Sequence, residues 1–251
     1  MRVHRVPLQG TNAYLITGKH HVLVDTGPER ARAALLGGLK DLGVGGDDLS
    51  LLLATHAHST SVGNAAYLQR VFHVPLAVHA ADAPILAAGI DRVGHVVKPL
   101  GALVRLLGDA RFPNAPADVV FSDTLSLEPF GCAGNVVHTP GHTIGSSSVV
   151  LPTGDAIVGD LLMGGWLGGR LFGSRPSVHY LAESPGHVLQ SVSILRGLGV
   201  KRLHPGTGDV LQMDEVWHRL VESVDVLPSA PAPGRRREER LADEERLHLA
   251  N

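Results

Sequence analysis

The chain has 251 residues, 44% of them hydrophobic and 18% charged, with a formal net charge of −2, so it can bury a sizeable core in one large domain or two small ones. The near-neutral charge excludes a general pull toward nucleic acid or an anionic membrane surface, and no apolar stretch is long enough for a membrane span. A single cysteine, Cys132, excludes an intramolecular disulfide. Together with an N-terminal stretch, MRVHRVPLQGTNAYLITG, that lacks the apolar centre of a secretory signal, it predicts a cytoplasmic protein.

In chain order, AYLITG and HHVLVDTG are short apolar, β-branched runs around Gly18-Lys19 and predict a hairpin. RARAALLGGLKDLG has helical spacing and a glycine stop at Gly43. LSLLLAT predicts a buried strand that delivers THAH at its C-terminal end. VGNAAYLQRVF predicts a helix, VPLAVHA a strand and AADAPILAAG a short helix. Residues 91–117 mix helical apolar spacing with Gly, Pro and Asn breaks and predict a helical connector. Strand patterns resume in ADVVFSDTLSLEPF, GNVVHT and SSSVVLPTGDAIVGD, with Pro152-Thr153-Gly154-Asp155 as a turn. HVLQSVSILRGLG predicts an amphipathic helix, VKRLHP a strand and MDEVWHRLVESVDVL a last helix. The elements fall into two similar halves, roughly 1–90 and 118–228, within one domain over 1–228. Residues 229–251 are a Pro/Ala-rich linker and a charged tail too poor in apolar residues for a core.

Fifteen histidines are the unusual count. His56 and His58 are two apart on an extended segment, so their side chains leave one face and suit a borderline cation such as zinc. Alone, such a pair is weak evidence, because two nearby histidines more often lie on a solvated surface. VVHTPGHTIGS adds His142 on a loop made sharp by Pro140-Gly141. AIVGDLL ends an apolar strand in Asp160, a carboxylate that is costly there unless a cation or backbone donors compensate it. Three imidazoles and one carboxylate at strand ends make a first shell for one metal, with zinc, iron and manganese all compatible.

The order VDTG, THAHSTSVGN, HTPGHT, GDLL and HPGTG, over residues 8–212, resembles the metallo-β-lactamase superfamily. The resemblance implies an α/β (α+β) fold, a four-layered αββα sandwich with metal in a cleft between two sheets. It further implies His56, His58 and His142 as ligands of the first metal, with Asp160 at the position that usually bridges two. Asp25 would tie loop backbone near the site, as the matching family aspartate does. The departures are Thr60 and Ser61 in place of the Asp and His of HxHxDH, and Thr207 in place of the His of PGHG. Hydroxyls are poor zinc ligands, and three replacements at one subsite imply loss of the second metal as a unit. His204 is a lesser candidate for the cleft, His138 reads as a structural hydrogen-bonder and Cys132 as a small buried residue.

MGGWLGGRLFGSRPSVHY, residues 163–180, predicts a mobile glycine-rich loop over the cleft. Its Trp166, Phe172, Arg175, His179 and Tyr180 suit contacts to a small organic substrate, or else plain loop packing. The sequence thus predicts a mononuclear metal-dependent hydrolase of an ester, thioester or lactone. Asp160 is the general base, and Thr60, Ser61 or Thr207 are hydrogen-bond donors to an oxyanion. The alternatives are a non-catalytic binding scaffold, which a chain that takes up no metal would favour, and a mononuclear iron oxygenase, which iron in the site would favour. Nucleic-acid cleavage is disfavoured by the charge and by loss of the two-metal clamp. Whether 91–117 makes a homodimer is left open.

Overall fold

The computed structural model describes residues 1–91, 95–97, 111–166, 169 and 171–224. A compact unit spans Met1–Trp217; a second unit, His218–Asn251, is described only as far as Val224. The expected tail over 229–251 and most of the expected 91–117 connector lie outside the described residues.

The first sheet opens with β1 (Arg2–Leu8), β2 (Thr11–Thr17) and β3 (His21–Val24), an antiparallel meander. It continues in parallel through β4 (Leu49–Leu53), β5 (Leu76–His79) and β7 (Val119–Phe121). The parallel steps are spanned by helices, as parallel pairing demands. These are α1 (Arg32–Asp41) between β3 and β4, then α2 (Ser59–Val62) and α3 (Ala65–Phe72) between β4 and β5. After β5 comes α4 (Ala83–Ala88), and the two-residue β6 (His95–Val96) lies apart from this sheet. VGNAAYLQRVF, expected as one helix, is divided: Gly63 and Asn64 separate α2 from α3. A Cβ at Gly63 would meet the backbone of Pro28 and Glu29, so the break is where two loops pass closely.

The second sheet has the order β16-β15-β11-β10-β9-β8. Its strands are β8 (Thr124–Ser126), β9 (Asn135–His138), β10 (Ser147–Val150), β11 (Asp155–Gly159), β15 (Arg202–Pro205) and β16 (Leu211–Gln212). Helix α5 (Pro185–Gly197) precedes β15, and α6 (Met213–Val224) ends the described chain. The boundary between the halves is not where the sequence suggests, because Val119–Phe121 pairs with β5 and completes the first sheet. The glycine-rich segment after Asp160 is not an irregular loop. It is a hairpin, β12 (Met163–Trp166) with β13 (Leu171–Ser177), followed by β14 (Leu181–Ala182), which pairs with β6.

Strand alternation sorts the core into layers. On β2, Ala13 and Leu15 face a cluster that includes Leu35 and Leu39 of α1, Leu68 of α3 and Leu86 of α4. Tyr14 and Ile16 face the other way, into a cluster with Leu51, Leu53, Val136, Val149 and Ile157 that joins the two sheets. Helix α5 buries Val188, Val192 and Leu195, and the Ser191 hydroxyl donates to the Pro140 carbonyl at the edge of the second sheet. The sequence of layers is helix, sheet, sheet, helix.

Candidate metal centre

The C-terminal ends of β4, β9, β11 and β15 meet at one rim of the sandwich. Chain leaving β4 carries Thr55, His56 and His58; the turn after β9 carries His142; Asp160 follows β11 directly. The His58 Nδ1 and His142 Nε2 atoms are 3.0 Å apart. The rings of His56, His58 and His142 meet edge to face, with centroids 5.0, 4.7 and 4.8 Å apart. Their ligand atoms lie within 4.8 Å of one another, and so do those of a second set, His142, Asp160 and His179. Asp160 Oδ2 is 3.6 Å from His56 Nε2, 3.8 Å from His142 Nε2 and 3.7 Å from His179 Nε2.

Neighbouring groups fix which nitrogen faces the cluster. Asp25, held at φ 59, accepts from the Thr55 backbone N–H at 2.9 Å and from the Thr55 hydroxyl at 2.8 Å. That hydroxyl spends its one proton on the carboxylate, so at 2.9 Å it accepts from His56 Nδ1–H, and the Nε2 lone pair points inward. His142 Nδ1 donates to the Leu181 carbonyl at 2.9 Å, which likewise turns its Nε2 lone pair inward. Burial lowers His56 to about 3 and His142 well below the ordinary histidine range. Both are neutral near pH 7, the form that binds metal. Burial pushes Asp25 up to about 7 against the Thr55 hydrogen bonds, and a cation in the cluster would favour its ionised form.

Asp82 joins the two histidine loops and was not singled out in the sequence. Its buried carboxylate accepts from Ala57 N–H at 2.9 Å, the Thr143 hydroxyl at 2.9 Å and Gly145 N–H at 3.1 Å. It stands at the N-cap of α4, yet makes no side-chain cap there, because its oxygens reach across to both loops. The local pattern AADAP reads as an ordinary helix start, so a long-range tie of this kind leaves no sequence signal. His138 pairs with the Ile144 carbonyl at 2.7 Å and stacks on His79, outside the cluster. His204 pairs with Asp155 at 2.8 Å, which engages it at the opposite end of β11 from Asp160. Cys132 is buried, with the carbonyls of Ile16 and His20 beside its sulfur.

Ser61, at a position of the missing second-metal ligands, is buried with its hydroxyl 3.3 Å from His56 Nε2. Thr207 is also buried, and its carbonyl accepts from Gly164 N–H of the hairpin at 2.8 Å. Of the five residues expected to contact substrate, Trp166 and Phe172 are exposed on the hairpin at 59% and 73%, and Arg175 is exposed on β13. Tyr180 lies beside His179, ring centroids 6.0 Å apart, and His179 itself reaches the histidine and aspartate cluster.

The model of the metallo-beta-lactamase superfamily matches residues 6–206. The chain belongs to that superfamily. The αββα sandwich is the superfamily fold, and the layers described above are its two sheets with helices outside. A probable metallo-hydrolase of Methanocaldococcus jannaschii is 24% identical over 206 residues, covering 80% of this chain and 88% of the relative. Among solved structures, the BLEG-1 B3 metallo-beta-lactamase aligns with a TM-score of 0.61 at 23% identity, over 85% of this chain and 95% of that one. TTHA1623 in a di-iron-bound form aligns with a TM-score of 0.61 at 27% identity, over 86% of this chain and 96% of that one. No described helix is long and apolar enough to cross a membrane. This superfamily member carries a histidine and aspartate cluster whose donor types, burial and neutral imidazoles fit a metal ion.

Proposed function

We propose that the protein is a metal-dependent hydrolase that uses one zinc ion to cleave an ester, thioester or lactone of a small molecule. The observation that carries this reading is the convergence of three imidazole nitrogens beside a carboxylate, all four residues buried or nearly so. His56, His58 and His142 would hold the ion. When bound, such an ion acidifies a water molecule and polarises a carbonyl. Asp160, with Oδ2 3.6–3.8 Å from the imidazoles, accepts the proton that the attacking water loses. The Ser61 hydroxyl, 3.3 Å from His56 Nε2, is a donor at hand for an oxyanion formed at the carbonyl. Trp166, Phe172, Arg175 and Tyr180 give the hairpin an aromatic and cationic surface for a small organic acyl group.

The reading is tested by elemental analysis of protein purified without added metal or chelator, followed by assays on activated esters, thioesters and lactones. About one zinc per chain with chelator-sensitive hydrolysis supports it. A chain that takes up no metal even on reconstitution removes it and leaves a binding scaffold. A second reading, oxygenation at a single iron, is favoured by two particulars. A 27% identical neighbour is named as di-iron-bound, which favours iron as the metal though not its number, and His142, His179 and Asp160 form a two-histidine, one-carboxylate set of the type that suits Fe(II). Iron in the purified protein, with oxygen consumption in place of hydrolysis, would move that reading to the front.

A further inference from the structure

We propose that His179 is a ligand of the metal ion held by His56, His58 and His142, a fourth imidazole delivered by the hairpin from a position outside the superfamily motifs. The proposal rests on the metal-site reading above but not on the hydrolytic one. Three observations carry it.

The first is spacing. His179 Nε2 is 3.7 Å from Asp160 Oδ2, the same separation that Asp160 keeps from His56 and His142. A hydrogen bond between these groups would close to about 2.7–2.9 Å. Donor atoms each about 2.0–2.1 Å from a shared ion stand about 3.0–3.5 Å apart. The observed 3.6–3.8 Å is too long for a hydrogen-bonded pair and leaves room for an ion among these groups.

The second is orientation. The Leu181 carbonyl faces Nδ1 of His142 at 2.9 Å and Nδ1 of His179 at 3.1 Å. A carbonyl oxygen only accepts and has two lone pairs, so one acceptor sets both tautomers and turns both Nε2 lone pairs toward Asp160. The competing contact, Leu181 N–H to His179 Nδ1, is longer at 3.3 Å. The two rings meet edge to face with centroids 4.5 Å apart.

The third is anchoring. His179 follows β13 and precedes β14, whose Leu181 and Ala182 pair with Val96 and His95. Glu183 N–H donates to the His142 carbonyl and Ser184 N–H to the Gly141 carbonyl, both at 2.9 Å, so the segment is bonded onto the histidine loop itself. Upstream, the hairpin lies flat on the HPGTG loop through glycine contacts. A Cβ at Gly208 would strike the Gly164 backbone, and one at Gly169 would strike the Gly208 backbone. The glycine-rich composition is what permits this approach, and the approach ends with His179 in the cluster.

The set His142, Asp160, His179 shares His142 with the set His56, His58, His142. Since Nδ1 of His142 is engaged by Leu181, only one lone pair remains, and one lone pair serves one cation. An ion that takes the His142 lone pair therefore lies next to members of both sets, and the proposal assigns His179 to that ion.

The test titrates metal-depleted full-length protein with cobalt(II), measures affinity against a competing chelator, and counts imidazole ligands by X-ray absorption. Wild type should bind one cobalt with four imidazoles. His179→Ala and His179→Gln should each weaken binding by at least about tenfold and drop the count to three. His187→Ala, which removes an exposed histidine on α5, should change neither. Three imidazoles in wild type and in both variants would overturn the proposal whatever the affinities, as would two cobalt ions per chain. Wild type that binds no cobalt, or His142→Ala that binds like wild type, would instead overturn the metal-site reading, and this proposal with it.

Discussion

Strand β11 carries a carboxylate at each end, and the two are built for different work. Asp155, at its start, is closed by short bonds: Arg202 Nε and Nη2 at 2.7 Å, His204 Nε2 at 2.8 Å and the Thr153 hydroxyl at 2.7 Å. Burial alone would raise its carboxyl, but these donors hold it well below the usual carboxylate range. Asp160, just past the strand's other end, also faces imidazoles, yet at 3.6, 3.7 and 3.8 Å. The residue types are alike and the spacing differs by about one ångström. At one end the partners satisfy each other. At the other they are held apart by Thr55, Leu181 and Asp82, which bond the histidines or their loops from behind. A set of acceptors pinned outward from its own centre is arranged for something placed between them.

The largest expected effect breaks that comparison at its centre. His142 belongs to both ligand sets, so His142→Ala should abolish stoichiometric metal binding, read as metal per chain after gel filtration. Full occupancy in the variant would mean that the spacing around Asp160 has another cause. The next effect separates the two carboxylates. Asp160→Asn should lower turnover of an activated ester by at least about tenfold, the loss of a general base. Asp155→Asn should leave turnover per folded molecule intact while weakening the fold near neutral pH, with the difference from wild type vanishing in acid. Asp155 contributes stability that is present above its unfolded value of about 3.9 and is lost as pH falls below it. Equal turnover in wild type and Asp160→Asn would remove Asp160 as the proton acceptor.

A third change targets the brace behind the site. Asp82→Ala would leave Ala57 N–H, Gly145 N–H and the Thr143 hydroxyl without their buried acceptor. At about 1–3 kcal/mol for each unsatisfied group, partly relieved by water, a loss of about 3 kcal/mol is expected in urea unfolding. Metal affinity should fall with it, because both histidine loops lose their common anchor. Unchanged stability would show that the loops are set independently.

The strands, most helices and the meeting of His56, His58, His142 and Asp160 were legible because they rest on local signals. Apolar alternation marks β2 and β4, and HxH, Pro-Gly and Gly-Asp mark where those signals end in chemistry. What escaped is long-range. Asp82 lies 25 residues from Ala57 and 63 from Gly145, so no window contains its role. Val119–Phe121 joins the first sheet across the expected boundary between halves because pairing with β5 is a tertiary choice. The hairpin reads as a loop in the sequence because glycines weaken the strand pattern. Gly165 sits at φ +67 in a register shift, where a Cβ would strike the Leu171 and Phe172 carbonyls, so the strand needs the residue that disguises it.

A smaller effect tests the balance of buried charges. In metal-stripped protein, His56 at about 3 and His142, also depressed, lie below the unfolded histidine value of about 6.5. Their stability is fully present above that value and is lost as pH falls. Asp25, raised to about 7, works oppositely: its contribution is fully present below the unfolded carboxylate value of about 3.9 and is lost as pH rises through 7. Between about pH 4 and 6.5 the aspartate offsets part of the histidine loss. Asp25→Asn removes the offset, so its urea midpoint should fall more steeply than wild type from pH 7 to pH 5. Parallel slopes would mean that Asp25 is already ionised in the folded chain.

The smallest effect expected is none. Thr207→Ala removes a hydroxyl from the position where the superfamily pattern has a histidine, and the metal stoichiometry should stay at the wild-type value. The reason lies in how Thr207 is used. Its carbonyl, not its side chain, is the part that accepts from Gly164 N–H at 2.8 Å, and alanine keeps that carbonyl. The hairpin therefore stays seated on Gly208, and the path that carries His179 to Asp160 is unchanged. A fall in stoichiometry would show instead that the hydroxyl binds metal, and the loss of the second-metal ligands would then be a change of donor rather than the loss of a site.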